Sequence, residues 1–174
     1  MWWSNFKRLK IILLTFIAVL SLTGCDKKVE DTFPFSQTEK MEVISYSERN
    51  YWDTIRNGKV ERMGPIVLNK ILQLDSSRIK ERTFLGKEVK RTLFDILYRN
   101  TADEECTVAS CFIPRHAILF YNKKMEIIGN LEVCFTCGTW ESNFEHRPIC
   151  QEELNDLQKI MKKSGIKYFG EGEH

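Results

Sequence analysis

The sequence lacks a charge excess, a long apolar run and the short motifs that commit a chain to a familiar chemistry. Its 26 Lys and Arg face 24 Asp and Glu over 174 residues, a formal net charge of +2. Three of the bases, Lys7, Arg8 and Lys10, lie in the first 24 residues, which hold no acid; beyond them 23 bases face 24 acids, a net of −1. A near-neutral body has no global electrostatic reason to bind nucleic acid or anionic lipid heads. The longest apolar stretch, Ile11 to Leu20, falls short of the roughly 20 residues that cross a bilayer. There is no Gly-rich phosphate loop, no His-Glu-x-x-His and no nucleophile elbow. No cofactor is expected, and no internal repeat is found. With 43% hydrophobic and 29% charged residues, the composition fits one ordinary globular domain. A body of 150 residues buries about two-thirds of its unfolded surface, enough for a real core.

What is present begins at the amino terminus. Met1 to Lys10 is basic, Ile11 to Leu20 is apolar except for Thr15, and Ser21, Leu22, Thr23, Gly24 and Cys25 follow. A basic segment, a short apolar run and small residues make a secretory signal over residues 1–24. Leu22-Thr23-Gly24-Cys25 resembles the lipobox of bacterial lipoproteins. That resemblance implies cleavage before Cys25, diacylation of its thiol and acylation of the new amino terminus. Two or three acyl chains hold a protein stably at a membrane where one does not. Residues 25–39 read as a lipidated tether because of their charges and Pro34. At about 3.4 Å per residue, a dozen such residues reach roughly 40 Å from the lipid. Asp26 after the cysteine resembles inner-membrane retention in enteric bacteria, but other bacteria read this position differently, so either membrane stays open.

Residues 40–174 are expected to form a single α+β domain: a small antiparallel sheet with a central hairpin, and two to three helices packed on one face. Met41 to Ser47 reads as a strand, Tyr51-Trp52 as an aromatic pair at a core edge, and Asn57-Gly58 and Gly64-Pro65 as turns. Ile66 to Leu74 is apolar and fits strand or helix equally. Lys87 to Arg99 has one apolar stripe of Val89, Leu93, Ile96 and Leu97, with Asp95 set to pair with Arg99 and Asn100 suited to the cap. Thr101 to Glu105 reads as a loop. His116 to Tyr121 and Ile127 to Phe135 alternate as hairpin strands around a turn at Asn122 to Met125. Ile128, Asn130, Glu132 and Cys134 are expected on a wetter outer face. Gln151 to Ser164 is a second helix, with Glu152 and Glu153 in its first turn, Lys162 and Lys163 in its last, and Gly165-Ile166 closing a Schellman end onto Met161. Lys167 to Phe169 fits a short edge strand.

Five cysteines lie in the C-terminal half: Cys106, Cys111, Cys134, Cys137 and Cys150. Export favours disulfides, and an odd count leaves one thiol over. A hairpin turning at Lys123-Lys124 puts Cys111 opposite Thr136; a slip of two residues brings it to Cys134, a slip of one the other way to Cys137. Opposed residues in a sheet are close enough to bridge, so Cys111 is expected to pair with one of them. Cys134-Phe135-Thr136-Cys137 also fits a redox pair, although no helical pattern follows it to lower a thiol pKa. A metal set of Cys134, Cys137, His146 and Cys150 matches zinc in ligand type and number. His116 and His146 lie beside Arg115 and Arg147 and read as surface or satisfied polar residues rather than bases. Glu104-Glu105 and Glu152-Glu153 read as solvated carboxylates rather than an acid/base pair.

The runs Cys111 to Tyr121 and Leu131 to Cys137 resemble small uncharacterised cysteine-rich lipoproteins of Bacteroidota-like bacteria. The resemblance implies a recurrent cysteine-rich hairpin and transfers no activity. The sequence therefore points to a non-enzymatic envelope lipoprotein, a binding or structural module held to a membrane through Cys25 and facing the periplasm or cell surface. The alternative is a periplasm-facing thiol-redox or metal-binding protein built on Cys134 and Cys137.

Overall fold

A computed structural model describes residues 28–47, 54–56, 59–61, 64–98, 106 and 109–170. The signal segment, Cys25, Tyr51-Trp52, Asn57-Gly58, Arg99, Asn100 and Thr101 to Glu105 lie outside the described residues. In chain order the elements are β1 (Lys40–Tyr46), β2 (Thr54–Arg56), β3 (Lys59–Glu61), β4 (Val67–Leu68), β5 (Ile71–Leu72), β6 (Ile79–Leu85), α1 (Val89–Tyr98), β7 (His116–Tyr121), β8 (Ile127–Cys134), β9 (Thr139–Ser142) and α2 (Gln151–Lys163). Five strands form one antiparallel sheet in the order β6-β1-β7-β8-β9, while β2-β3 and β4-β5 are separate two-stranded ribbons. The fold is a small α+β fold.

Alternation along the strands gives the sheet two apolar faces. Met41, Val43, Ile118, Phe120, Leu131 and Val133 form one core with Leu93, Phe94 and Leu97 of α1 and Leu154, Leu157 and Met161 of α2. Ile44, Tyr46, Ala117, Leu119, Tyr121 and Ile127 form a second core, closed by Ile66 with Val67 and Leu72 of the β4-β5 ribbon. The stretch Ile66 to Leu74 is thus neither one strand nor a helix. Asn69 and Lys70 both have positive φ, 51° and 64°, and this left-handed pair folds the run into a tight hairpin.

The second core corrects the wet outer face expected of β8. Asn130, Glu132 and Cys134 are all buried. Glu132 accepts a 2.6 Å hydrogen bond from the Tyr46 hydroxyl. Nearby, Glu42 accepts two bonds of 2.8 Å from Arg82 and one of 2.7 Å from the Tyr121 hydroxyl. Burial pushes the Glu42 carboxyl up, but the Arg82 and Tyr121 bonds and the Arg82 charge outweigh it and leave it below its ordinary value. The same burial, with the bond to Glu42, pushes the Tyr121 hydroxyl up.

The hairpin register is two residues from the expected one. His116 lies opposite Val133 and Phe120 opposite Gly129. A bulge then pairs Tyr121 with Ile127, which turns Ile127 into the second core while Ile128 packs toward the first.

The two helices follow their stripes. In α1, Leu93, Phe94, Ile96 and Leu97 are buried, and Asp95 pairs with Arg91 at 3.0 Å, one turn before it. In α2 the end forms as expected: Gly165 at φ +102° donates to the Lys162 carbonyl and Ile166 to the Met161 carbonyl, the two bonds of a Schellman motif. Lys167 to Phe169 adds no strand. The amides of Lys167 and Tyr168 donate instead to the Glu81 carboxylate on β6, at 3.1 and 3.0 Å.

The expected tether is largely folded. Val29 and Phe35 are buried in the first core. Phe35 meets Phe94 and Phe120 edge-on, with ring centroids 5.4 and 5.3 Å apart. A Cβ added to Gly129 would stand 2.9 Å from Pro34, so the glycine lets this lead-in segment lie on the sheet. The packed domain therefore extends upstream of residue 40, at least to Val29. No helix of the described residues is long and apolar enough to cross a membrane.

Candidate functional site

The cysteines gather at one end of the sheet. β8 ends at Cys134, which pairs with Thr139 of β9. The four residues between them form the hairpin turn, with Gly138 at φ +66°. Inside that turn the Cys137 amide donates to Cys134 Sγ at 3.2 Å. The segment before β7 folds over it: the Cys111 carbonyl accepts from Thr139 Oγ1 at 3.0 Å, and Arg115 Nη1 donates to Thr136 Oγ1 at 3.1 Å. The Cys111 and Cys134 thiols lie close enough to Cys137 to disfavour its thiolate. Cys134 and Cys137 are buried and Cys111 is exposed.

Sequence reasoning brought Cys111 to this pair by a different route. It placed Cys111 on a continuing strand, whereas β7 begins at His116 and the approach is made by irregular chain. The bridge itself also differs. Cys106 and Cys150 form the disulfide, across 44 residues of sequence, while Cys111, Cys134 and Cys137 are thiols. Cys106 and Cys150 lie outside the hairpin, so strand register carried no information about them.

The chemistry of the cluster follows from its surroundings. Burial, then the nearby Cys111 and Cys134 thiols, push the Cys137 thiol well up, and a bond from the Ile113 backbone only partly opposes this. A nucleophilic or redox cysteine needs the opposite shift, toward thiolate. The CxxC sits in a hairpin turn and not on the first turn of a helix. The start of α2 lies beside Gly138, but there the Cys150 amide is taken by the Glu153 carboxylate at 3.1 Å. Glu153, expected to be solvated, is buried in that role.

The metal set is not assembled. Cys150 is bonded to Cys106, and His146 turns Nδ1 to the Arg147 carbonyl while its ring packs on Trp140 and Phe144. Burial holds the His146 imidazole below its ordinary value. Among the described residues no group of three or more His, Cys, Asp or Glu side chains is arranged to hold a metal ion.

A second polar cluster escaped the sequence reading because it joins residues far apart in the chain. Ser45 Oγ donates to Glu81 at 2.8 Å, and His116 Nε2 lies 2.8 Å from the Tyr168 carbonyl. Ser45 and His116 are buried. Serine, histidine and glutamate side by side suggest a hydrolase triad, but the order of bonds is wrong. The serine hydroxyl is bonded to the carboxylate, whereas a triad hands its proton to an imidazole. The cluster anchors the chain after α2. Burial raises the Glu81 carboxyl, yet the Tyr168, Ser45 and Lys167 bonds and the His116 charge leave it below its ordinary value. No family model, no curated protein and no solved structure matches this chain.

Proposed function

We propose that the chain is a lipid-anchored lipoprotein of the bacterial cell envelope, acylated on Cys25, whose folded domain binds or scaffolds rather than catalyses. The observation that carries this reading is Leu22-Thr23-Gly24-Cys25 directly behind a basic and then apolar segment. That order is the one in which a lipobox operates, and multiple acyl chains make the attachment lasting. The membrane is its partner through those chains, and its near-neutral body gives no reason for nucleic acid to be one. Three features support a non-catalytic domain: Ser45 is bonded to Glu81, His116 Nε2 faces a carbonyl, and the Cys137 thiol is shifted away from thiolate. Growth on labelled fatty acid tests the anchor. Label is expected in the wild type and absent from Cys25→Ser; equal labelling of the two sinks the assignment.

One observation favours a second reading, a periplasm-facing thiol-redox protein: Cys111, Cys134 and Cys137 converge, with Cys111 exposed to a partner. The raised Cys137 thiol weighs against it, because exchange proceeds through thiolate.

A further inference from the structure

We infer that the domain does not hang from its lipid but lies on the bilayer, through the end of the sheet opposite the thiols. This inference rests on the lipid-anchor reading. Its first ground is chain length. Val29 is already packed in the first core. Four steps of chain separate it from Cys25, so at about 3.4 Å per step the packed chain stands within roughly 14 Å of an acylated Cys25.

The second ground is where the exposed apolar side chains stand. Among the described residues the exposed large hydrophobics are Phe33, Ile71, Phe84 and Met125, at 41%, 64%, 55% and 47% exposure. Strand pairing puts Phe84 and Met125 at one end, and contacts of their chain neighbours bring Ile71 and Phe33 to it. Lys40 opens β1 opposite Tyr121, and Tyr121 pairs with Ile127, so Met125 lies in the turn at that end. Phe84 is opposite Glu42, one rung from the edge, with the Lys40 ammonium 5.6 Å over its ring. Ile71 follows Lys70, whose carbonyl accepts from the Ile127 amide at 3.4 Å and whose ammonium pairs with Glu126 at 2.9 Å. Phe33 precedes Pro34, which packs on Gly129 one rung inside. Scattered exposed hydrophobics need no explanation, but a set confined to one end marks a contact surface.

The third ground is the rim. Lys40, Lys87, Lys123 and Lys124 are exposed around these side chains, against Glu39 and Glu88, while Lys70 and Glu126 pair with each other. Glu30 and Asp31 beside Lys28 keep the excess modest, so apolar insertion leads and the lysines assist on anionic lipid. Lys28 lies one turn before Phe33, its carbonyl accepting from the Thr32 hydroxyl at 2.7 Å, so the anchored segment reaches the sheet at the end that a bilayer surface fits.

The test is lysine footprinting of the full lipoprotein in vesicles of phosphatidylethanolamine and phosphatidylglycerol. A water-soluble acetylating reagent is applied, with Lys80 and Lys167 at the far end as internal controls. Relative to the Cys25→Ser chain free in solution, Lys70, Lys123 and Lys124 are expected to react at least about fivefold more slowly, and Lys80 and Lys167 unchanged. Ile71→Asp with Met125→Asp is expected to restore their reactivity while leaving acylation intact. Equal protection at both ends, or none at either, in protein whose mass shows acyl chains overturns the inference. Protection that grows with protein concentration in detergent identifies a second copy as the occupant and also overturns it. A mass without acyl chains fails the anchor reading separately.

Discussion

Phe35→Ala is the sharpest test of where the domain starts. The side chain has no exposed surface and meets the rings of Phe94, Phe120 and Tyr98 at 5.4, 5.3 and 6.2 Å, all edge-on. Truncating a buried phenylalanine to alanine costs about 3–5 kcal/mol. Edge-on ring pairs add about 0.5–1.5 kcal/mol each beyond buried area, so the upper half of that range, about 4 kcal/mol, is expected. That is a large share of the roughly 5–15 kcal/mol that holds a domain together. Phe33, two residues earlier and 41% exposed, is the control, and Phe33→Ala is expected to cost under about 1 kcal/mol. Urea unfolding followed by circular dichroism measures both. If Phe35→Ala does not fold, Phe35→Leu supplies a milder loss of about 1–1.5 kcal/mol. Equal, small losses for Phe33→Ala and Phe35→Ala would refute the packing and restore a free tether up to residue 40.

Replacing Cys106 and Cys150 together by serine opens a bridge spanning 44 residues; loop-closure entropy puts the loss near 4 kcal/mol, read as a lower urea midpoint, and an unchanged midpoint argues against this pairing. The depressed carboxyls of Glu42 and Glu81 contribute stability that is present above the ordinary value of 4.5 and is lost as pH falls through their lower folded values. Glu81→Gln is therefore expected to be less stable than wild type at pH 7 and to flatten the acid limb below that value; parallel stability curves would contradict the assignment. Alkylation of the reduced protein against pH is expected to find Cys137 reacting only well above pH 8.5, the usual thiol range. A fast reaction near neutrality, with turnover of a model disulfide lost in Cys134→Ser, would promote the redox reading.

The parts of the fold legible in the sequence were those fixed by local pattern. α2 needed only its apolar spacing and the Gly165-Ile166 close, and both lie within one stretch of chain. The β7-β8 hairpin was legible as two alternating runs, but its register was not. Its turn closes on Met125 at φ +60° and carries no Asn-Gly or Asp-Gly to fix the pairing. What covers the far side of β8 was illegible because Ile66 and the β4-β5 ribbon come from some sixty residues upstream. Asn69-Lys70 gives little warning of two left-handed residues. Thr32-Phe33-Pro34-Phe35 read as a linker for its proline, yet one of its two phenylalanines is core and the other exposed. The thiol cluster was half legible: the CxxC and Cys111 were named, but their meeting depends on irregular chain before β7.

The Glu81 carboxylate that takes the amides of Lys167 and Tyr168 also decides how the sheet ends. Had that segment paired as a sixth strand, it would have offered its own free row of amides and carbonyls to the next molecule. Instead β6 stays the margin, and Lys80, Glu81 and Arg82 make it a charged one. The opposite margin, β9, is four residues long. Short and charged edges resist strand addition from a neighbour. Were the domain held on a membrane as proposed, it would meet copies of itself far more often than in bulk solution. A sheet bounded in this way would let a crowded layer of such domains stay separate molecules and not grow into a fibre.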